Sequence, residues 1–174
     1  LRPAQPVLVV AGRAAPSHAP GSGFGKPFGL MLGPLDDLRP NEVYVATGGS
    51  FRYACWGELM STRARYLGAA GAVLNGFVRD AAGIEALGFP TFSRGLYAQD
   101  QGPRGKVIDF RVSIEIDGVR VAPGDLIFAH RDGVLVIPSE VAAATIEAAR
   151  AQPAAADRVE PGSPQALGAR EALA

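Results

Sequence analysis

Apolar positions along the chain follow two periodicities, which separate candidate strands from candidate helices. Short apolar runs predict buried strands over residues 7–12, 43–46 and 72–74. Between the last two runs, apolar residues recur at three- and four-residue steps over residues 53–67, which is typical of an amphipathic helix. Because a strand, a helix and a strand follow one another, this stretch predicts a parallel crossover.

The later part of the chain is rich in predicted strands that are separated by turn signals. Alternation over residues 106–117 is typical of a half-exposed strand, and Asp117-Gly118 is a hairpin signal. A final helix is predicted over residues 140–151, where Ser139 can cap its start. The other predicted elements are a short helix near residues 82–87 and strands at 91–92, 119–121, 126–129 and 134–137.

These elements together predict one α/β domain with a mixed, layered or barrel-like sheet. The domain spans residues 1–152, and a tail rich in Ala, Gly and Pro follows over 153–174. Residues 16–34 are rich in Gly, Pro and Ser and predict a loop. The Gly-Ser-Gly-Phe-Gly-Lys stretch at 21–26 is not a phosphate-binding loop, because prolines stand where that loop needs Gly and Ser or Thr.

Composition and charge narrow the function classes. Of 174 residues, 48% are hydrophobic and 20% are charged, which is typical of a folded globular protein. The 17 basic and 17 acidic residues balance, which argues against binding to nucleic acid or to a membrane surface by bulk charge. No apolar run approaches the roughly 18 residues of a transmembrane helix. The single cysteine, Cys55, excludes an intramolecular disulfide, and we expect a reducing, cytoplasmic location.

The pair Arg79-Asp80 is the first candidate for chemistry. It lies in the segment 75–80 that leaves the predicted buried strand at 72–74, where the chain turns toward a helix, and ligand sites in α/β sheets favour the carboxyl ends of strands. Asp80 could bind a hard divalent cation, and Arg79 could hold a carboxylate through a bidentate fork. On these two residues alone, a surface ion pair of little energetic value is the better interpretation.

The second candidate is the stretch Gly57-Glu58-Leu59-Met60, in or near the first turn of the predicted helix. Backbone N–H groups in a first turn bind anions, and Gly57 would let a ligand approach the backbone closely. An alternative is that Glu58 is simply an acid well placed in a first turn. If the start of the helix and the end of the next strand are neighbours, both candidates share one cleft.

Other reactive side chains are less informative. The only lysines, Lys26 and Lys106, fall in segments with Gly or Pro, which disfavours a Schiff-base mechanism and favours a metal ion for carbonyl chemistry. No spacing ties His18 to His130. Cys55 lacks a matching base, so we interpret it as a buried structural thiol.

An ordered series of short motifs resembles the RraA-like family over roughly residues 40–150. The family includes class II 4-hydroxy-4-methyl-2-oxoglutarate aldolases, regulators of ribonuclease E activity, and proteins labelled as relatives of demethylmenaquinone methyltransferases. The motifs are Gly-Gly-Ser at 48–50, Trp-Gly-Glu-Leu at 56–59, Gly-Ala-Val at 71–73, Gly-Phe-Val-Arg-Asp at 76–80, Leu-Gly-Phe-Pro-Thr-Phe-Ser-Arg-Gly at 87–95, Pro-Gly-Asp at 123–125 and Asp-Gly-Val-Leu-Val-Ile-Pro at 132–138.

The resemblance implies a swivelling β/β/α-type domain that forms homotrimers, sometimes paired into hexamers, with sites near subunit boundaries. It also implies N-terminal helices ahead of the first strand, which we expect to be missing from this chain. Aldolase members carry an acidic residue, twenty intervening residues and then Arg-Asp, and Glu58 and Arg79-Asp80 have this spacing. By resemblance, Asp80 would ligate Mg²⁺ or Mn²⁺, mostly through a shell of waters.

The resemblance assigns further roles to the same residues. Arg79 would bind the keto acid and stabilise negative charge, and Glu58 would hold or deprotonate a metal-bound water. The backbone N–H groups of Gly57, Leu59 and Met60 would cradle the substrate carboxylate. The implied function is a metal-dependent, pyruvate-forming lyase that acts on a 4-hydroxy-2-oxo acid, with oxaloacetate decarboxylase activity as a related reaction.

Three departures from the family pattern keep two alternatives open. Gly83 stands where many members have an acidic residue, Asn75 replaces a frequent Asp, and His130 replaces the first Asp of an Asp-x-Asp-Gly-Val stretch. One alternative is a non-catalytic, protein-binding regulator of ribonuclease activity, and the other is a trimeric scaffold with a degenerate site. In each interpretation we expect no binding to nucleic acid and none to a membrane.

Overall fold

The computed structural model describes residues 2–3, 10–18, 32–50, 52–102, 104–105 and 107–151. Its contacts divide the chain into two units, Leu1–Ser139 and Glu140–Ala174, and the described part of the second is helical. The elements are β1 (Arg2–Pro3), β2 (Val10–His18), α1 (Leu32–Asp36), β3 (Glu42–Thr47), β4 (Ala54–Trp56), α2 (Glu58–Tyr66), β5 (Gly71–Leu74), β6 (Phe77–Val78), α3 (Ala81–Leu87), β7 (Thr91–Ser93), β8 (Gly95–Leu96), β9 (Asp109–Phe110), β10 (Ile114–Ile116), β11 (Val119–Val121), β12 (Leu126–His130), β13 (Gly133–Ile137) and α4 (Ser139–Ala151).

The main sheet mixes parallel and antiparallel strands. Its order is β1-β7-β5-β3-β2-β12-β13, and β9 also pairs with β2. The central pairs β2–β3, β3–β5 and β5–β7 are parallel, so the predicted crossover between β3 and β5 through α2 is confirmed. Strands β1, β12, β13 and β9 join antiparallel. The predicted α/β class is therefore confirmed in its layered form, since the described strands do not close into a barrel.

Apolar side chains cover both faces of the central strands. Along β3, Tyr44 and Ala46 join a core cluster on the side of α1, α2 and α3. Val43 and Val45 join a second cluster with residues of β10–β13 on the opposite side. A strand buried on both faces has a continuous apolar sequence, which explains why 43–46 and 72–74 were readable as strands. None of the helices in the described ranges is long and apolar enough to cross a bilayer.

A second, smaller sheet corrects the predicted start of the main helix. The pattern predicted helix from about Tyr53, but residues 54–56 form β4, which pairs in parallel with β6, and β6 pairs in parallel with β8. The backbone N–H of Ala54 also donates to the carbonyl of Gln99 at 2.7 Å. Strand pairing satisfies these backbone groups, and α2 begins only at Glu58 with Gly57 as its N-cap.

Three other boundaries were wrong. Residues 16–18, predicted as loop, extend β2, because they pair in register with residues 45–47 of β3. Residues 32–34, at the other end of the same predicted loop, belong to α1. The strand predicted over 106–117 is interrupted between β9 and β10, where Arg111 has a φ of 59°. The hairpin at Asp117-Gly118 is confirmed. Predictions for residues 7–9, for 19–31 including the stretch at 21–26, and for the tail at 153–174 lie outside the described residues.

A charged cluster explains the interruption at Arg111. Its guanidinium donates to both carboxylate oxygens of Glu42, at 2.6 and 2.9 Å, and to Asp37 at 2.6 Å. Glu42 is only 9% exposed. Burial alone would raise the pKa of the Glu42 carboxyl, but hydrogen bonds from Arg111 and from the backbone N–H of Arg39 outweigh it and lower that pKa. The cluster thus ties β3 to the segment that precedes β10.

Replacement of Arg111 tests this cluster. At pH 7, Arg111→Ala should lower the free energy of unfolding by about 2–3 kcal/mol, because Glu42 keeps its charge and loses its partner. The lowered pKa of Glu42 means that its stabilisation is present above the ordinary pKa and is lost as pH falls through the lowered value. Urea unfolding at pH 7 and at about pH 3.5 should therefore show a smaller difference between variant and wild type in acid.

The matched control is Arg120→Ala, since Arg120 is an exposed residue of β11 and donates to the Ser113 hydroxyl. This change should cost less than about 0.5 kcal/mol at either pH. An Arg111→Ala loss of equal size at both pH values would contradict the role of Glu42.

Candidate functional site

The two candidate motifs meet because the strands before them are parallel neighbours. β4 leads into Gly57 and α2, while β6 leads into Arg79 and Asp80 before α3 begins. Trp56 and Val78 are register partners, and the N–H of Arg79 donates to the Trp56 carbonyl at 3.0 Å. Because the carboxyl ends of parallel strands lie at the same edge, the expected shared cleft forms between the start of α2 and the end of β6.

Gly57 lies against both members of the Arg79-Asp80 pair. A Cβ atom at Gly57 would be 2.8 Å from Asp80 Oδ2 and 3.2 Å from Arg79 Cγ. The backbone of Gly57 is extended, so its conformation does not require glycine. Lack of a side chain matters here because it lets the Asp80 carboxylate approach the main chain at the start of α2.

Asp80 adopts a left-handed backbone conformation with a φ of 57°. This region is unfavourable for most residues with a Cβ, and Asp and Asn tolerate it best. Although Asp80 is the N-cap of α3, its side chain makes no capping hydrogen bond. The carboxylate is 38% exposed, with Oδ2 at 3.7 Å from Arg79 Nη1. The Asp80 carboxylate therefore does not cap the helix that it precedes.

Sequence reasoning missed one residue of this cluster, Asp100. Its Oδ2 lies 3.0 Å from Arg79 Nη2, and its Oδ1 accepts the N–H of Gly102 at 2.7 Å. Asp100 reaches Arg79 because a parallel bridge joins it to Ala54 at the start of β4. A bridge of one residue leaves no periodic pattern in the sequence, so no signal pointed to it.

The cluster borders a cavity of about 460 Å³. Five of the residues that were predicted for the site line this cavity. Residues from α1, β4 and the segment at 100–101 line it as well. The full lining is Leu32, Leu35, Asp36, Ala54, Cys55, Trp56, Gly57, Leu59, Met60, Arg63, Arg79, Asp80, Asp100 and Gln101. This volume is within the usual range for small-molecule sites.

Glu58 is the predicted site residue that does not line this cavity. Its side chain extends toward α3, where a Cβ atom on Gly83 would overlap its carboxyl group. Gly83 comes three residues after Asp80, so the Glu58 carboxylate lies over the first turn of α3, beside the cavity. The structure therefore brings Gly57, Arg79 and Asp80 together and holds Glu58 next to them on the α3 side.

Comparison with known proteins decides the family. The sequence profile of the family described as RraA-like: Aldolase/RraA matches residues 1–136. The chain belongs to the RraA-like family. The resemblance of the motifs between residues 40 and 150 is thereby confirmed.

Relatives and structural neighbours of this RraA-like chain point to both branches of the family. Several relatives bear the name "Putative 4-hydroxy-4-methyl-2-oxoglutarate aldolase", and two of them are described here. One, from Halalkalibacterium halodurans, is 36% identical over 62% of this chain and 51% of its own length. The other, from Burkholderia multivorans, is 34% identical over 78% of this chain and 84% of its own length. The chain spans about half the length, or less, of several curated relatives it matches.

One solved structure that matches is Streptomyces coelicolor RraAS2, described as an unusual member of the RNase ES inhibitor RraA protein family. It is 24% identical, with a TM-score of 0.78 over 86% of this chain and 75% of that one. At this identity the likeness shows the RraA fold.

The departures from the family pattern have different surroundings. The Asn75 amide donates to the Thr47 hydroxyl at 3.0 Å and accepts from Arg94 at 2.9 Å. These two hydrogen bonds link the ends of neighbouring strands of the main sheet. His130 faces Asp132 at the β12–β13 turn. Neither Asn75 nor His130 lines the cavity. Gly83 lies against the side chain of Glu58, which is a candidate site residue.

Cys55 lines the cavity, and its thiol is hydrogen-bonded to the main chain. Its thiol donates to the carbonyl of Phe77 at 3.5 Å. Burial raises the pKa of this thiol to about 12, so the neutral form prevails near pH 7. The interpretation of Cys55 as a structural thiol fits these observations.

The contact of Gly57 with Asp80 gives a stability test. Gly57→Ala should lower the free energy of unfolding by about 1–2 kcal/mol, because the added methyl group must displace the Asp80 carboxylate. In an Asp80→Ala background the same change should cost at least about 0.5 kcal/mol less. Urea denaturation of the four proteins measures this coupling.

Gly133→Ala is the matched control, because a Cβ atom there would meet nothing within 4 Å. It should change stability by less than about 0.5 kcal/mol. Additive effects of Gly57→Ala and Asp80→Ala would contradict the contact.

Proposed function

We propose that this chain carries the active site of a divalent-metal-dependent lyase that cleaves a 4-hydroxy-2-oxo acid to release pyruvate, with oxaloacetate decarboxylation as a related reaction. The observation that carries the proposal is the convergence of the start of α2 with Arg79 and Asp80 on one cavity. The names of relatives at 34–36% identity support an aldolase. The substrate is a small 2-oxo acid, and the class is that of metal-dependent aldolases.

Asp80 is the residue that would hold the metal ion. Its carboxylate lines the cavity and is free of a capping bond. Among the described residues, no group of three or more His, Cys, Asp or Glu side chains surrounds a metal position. Asp80 and Asp100 both line the cavity, and Mg²⁺ binds through one or two carboxylates and keeps several waters. A bound divalent cation would supply Lewis-acid stabilisation of the negative charge that develops on the pyruvate fragment.

Arg79 and the start of α2 would bind and orient the substrate. The first hydrogen bond of α2 runs from the N–H of Ser61 to the carbonyl of Gly57. The N–H groups of Leu59 and Met60 precede it, so they have no partner within the helix and can receive a carboxylate. The Arg79 guanidinium supplies a fixed positive charge beside the reacting carbons, and Asp100 holds its orientation.

Glu58 would move the proton. Cleavage removes the proton of the 4-hydroxyl group, breaks the C3–C4 bond and leaves the electron pair on the pyruvate fragment, which then takes up a proton at C3. The Glu58 carboxyl oxygens lie beside the cavity rather than on its wall, so they would exchange this proton through an ordered water.

The family resemblance supports a homotrimer or hexamer for the assembled enzyme. A second candidate function is a protein-binding regulator of ribonuclease activity. The family description names RraA beside aldolases, which is what supports this alternative. A regulator would require neither the Asp80 carboxylate nor the cavity. The variants below therefore distinguish a regulator from a lyase. A scaffold with a degenerate site is the third interpretation, and the position of Glu58 outside the cavity wall supports it.

A coupled lactate dehydrogenase assay tests the lyase. Pyruvate release from oxaloacetate and from 4-hydroxy-2-oxo acids should need Mg²⁺ or Mn²⁺ and should stop with EDTA. Asp80→Asn should lower kcat about 100-fold or more, because Asn keeps the left-handed backbone but removes the charge. Arg79→Lys should also lose activity, since lysine lacks the planar fork.

Asp132→Asn is the control, because the Asp132 carboxylate is exposed and lies at the β12–β13 turn. It should keep wild-type activity. Absence of pyruvate with every substrate and metal would reject the lyase, and copurification of a ribonuclease with the same protein would then favour the regulator.

Gly83 gives a second test, because its lack of a side chain leaves room for the Glu58 carboxyl group. Gly83→Ala should lower kcat by about ten-fold or more by displacing that group. Alanine favours a helix over glycine by about 1 kcal/mol, which should offset the cost of displacing the Glu58 side chain, so stability should change by less than about 1 kcal/mol. Thermal unfolding and pyruvate release measure the two effects.

Glu58→Gln alone and combined with Gly83→Ala completes the cycle. If both changes act through the same carboxylate, the activity of the double variant should equal or exceed that of the less active single variant. Multiplied losses would show that Gly83 acts through something other than Glu58.

A further inference from the structure

Gln101 lines the cavity and carries a polar group that the fold leaves unpaired. Its side chain is buried, with the residue only 2% exposed. The Nε2 atom is itself buried and has no hydrogen-bond partner among the described residues. A buried donor without an acceptor destabilises a fold, because it loses its hydration and gains no hydrogen bond in return. An unpaired buried donor in a cavity wall therefore points to an acceptor that a ligand supplies.

The main chain on both sides of Gln101 is held in place. Asp100 Oδ1 accepts the N–H of Gly102 at 2.7 Å, and Asp100 Oδ2 faces Arg79 at 3.0 Å. The carbonyl of Gln101 accepts the N–H of Gly105 at 2.9 Å. The terminal torsion of a glutamine side chain, by contrast, is soft. The amide can therefore turn an N–H group toward a ligand without movement of the main chain.

Gln101 lies apart from the groups that already have roles in the proposed function. There, Arg79, a cation at Asp80 and the start of α2 take the 2-oxo acid end. Glu58 lies on the α3 side and exchanges the proton of the 4-hydroxyl group. Gln101 lies on the β4 side, because a bridge at Asp100 joins its segment to that strand. The oxygens of an extended substrate that still lack a partner are those of a distal carboxylate.

We propose that Gln101 is a specificity-determining residue whose amide donates a hydrogen bond to the distal carboxylate of a dicarboxylic 2-oxo acid. The inference rests on the proposed function for the position of the 2-oxo acid end. A hydrogen bond to a charged group is stronger than one between neutral groups. The cavity of about 460 Å³ has room for such an acid beyond its pyruvate unit.

Trp56 supplies a measure of occupancy, because it is the single tryptophan of the chain and lines the cavity. Its fluorescence can be titrated, with Mg²⁺ present, against 2-oxoglutarate and against 2-oxopentanoate, in which a methyl group replaces the distal carboxylate. Neither acid carries a 4-hydroxyl group, so binding is measured without aldol cleavage. We expect 2-oxoglutarate to bind about ten-fold more tightly. Equal binding, or tighter binding of 2-oxopentanoate, would overturn the proposal.

Gln101→Met removes the amide and keeps the length of the side chain. It should weaken the binding of 2-oxoglutarate by about ten-fold and that of 2-oxopentanoate by less than about two-fold, because only the first acid loses a hydrogen bond. The urea midpoint of unfolding should not fall, because an apolar group takes the place of an unpaired donor. Equal weakening of both acids, or of neither, would contradict the role of Gln101.

Tyr53→Phe is the matched control. The Tyr53 hydroxyl is also buried and has no hydrogen-bond partner in the described part of the chain, but Tyr53 does not line the cavity. Its removal should likewise not lower the urea midpoint, and it should leave the ratio of the two affinities at the wild-type value. A ratio that falls as far in Tyr53→Phe as in Gln101→Met would overturn the assignment to Gln101.

The binding and turnover measurements separate this inference from the proposed function. Loss of the preference in Gln101→Met, without pyruvate release from any 4-hydroxy-2-oxo acid, would reject the lyase and keep the role of Gln101. Pyruvate release with an unchanged ratio of affinities in Gln101→Met would keep the lyase and reject that role. Absence of any fluorescence change with both acids would also reject the role of Gln101.

Discussion

The parallel pairing of β4 with β6 is the interaction on which the candidate site depends. One hydrogen bond, from the N–H of Arg79 to the carbonyl of Trp56, sets the ends of the two strands side by side. The start of α2 follows one strand and Asp80 follows the other, so both arrive at the same edge. Neither short strand has a long apolar run of its own. Their pairing is held by the core around Trp56 and Val78, which are both almost fully buried.

The sequence pattern was informative where burial on both faces makes a strand continuously apolar, as in β3 and β5. It was also informative where backbone conformation demands a particular residue, as at the Asp117-Gly118 turn, where both residues have positive φ. It failed where long-range pairing decides the structure. Residues 54–56 have helical spacing of apolar positions, yet partners 22 or more residues away draw them into a strand.

The candidate site shows the same division. Spacing and resemblance identified Gly57, Arg79 and Asp80 as neighbours, because strand order carries that information. They did not reveal Asp100, which a single bridge to Ala54 brings to Arg79. They also gave no direction for the Glu58 side chain, because that direction depends on Gly83 in another helix. The direction of a side chain depends on residues that are close in space, and a single sequence does not show which residues those are.

The twenty residues between Glu58 and Arg79 pass through α2, the turn at Gly68, and β5 before the chain returns to β6. The turn at Gly68 joins the far end of α2 to the beginning of β5, and so lies at the edge opposite to the site. An insertion at this turn would lengthen the interval without moving Gly57 away from Asp80. The interval is thus an outcome of helix and strand length, and a search for comparable sites should align strand ends instead of counting residues.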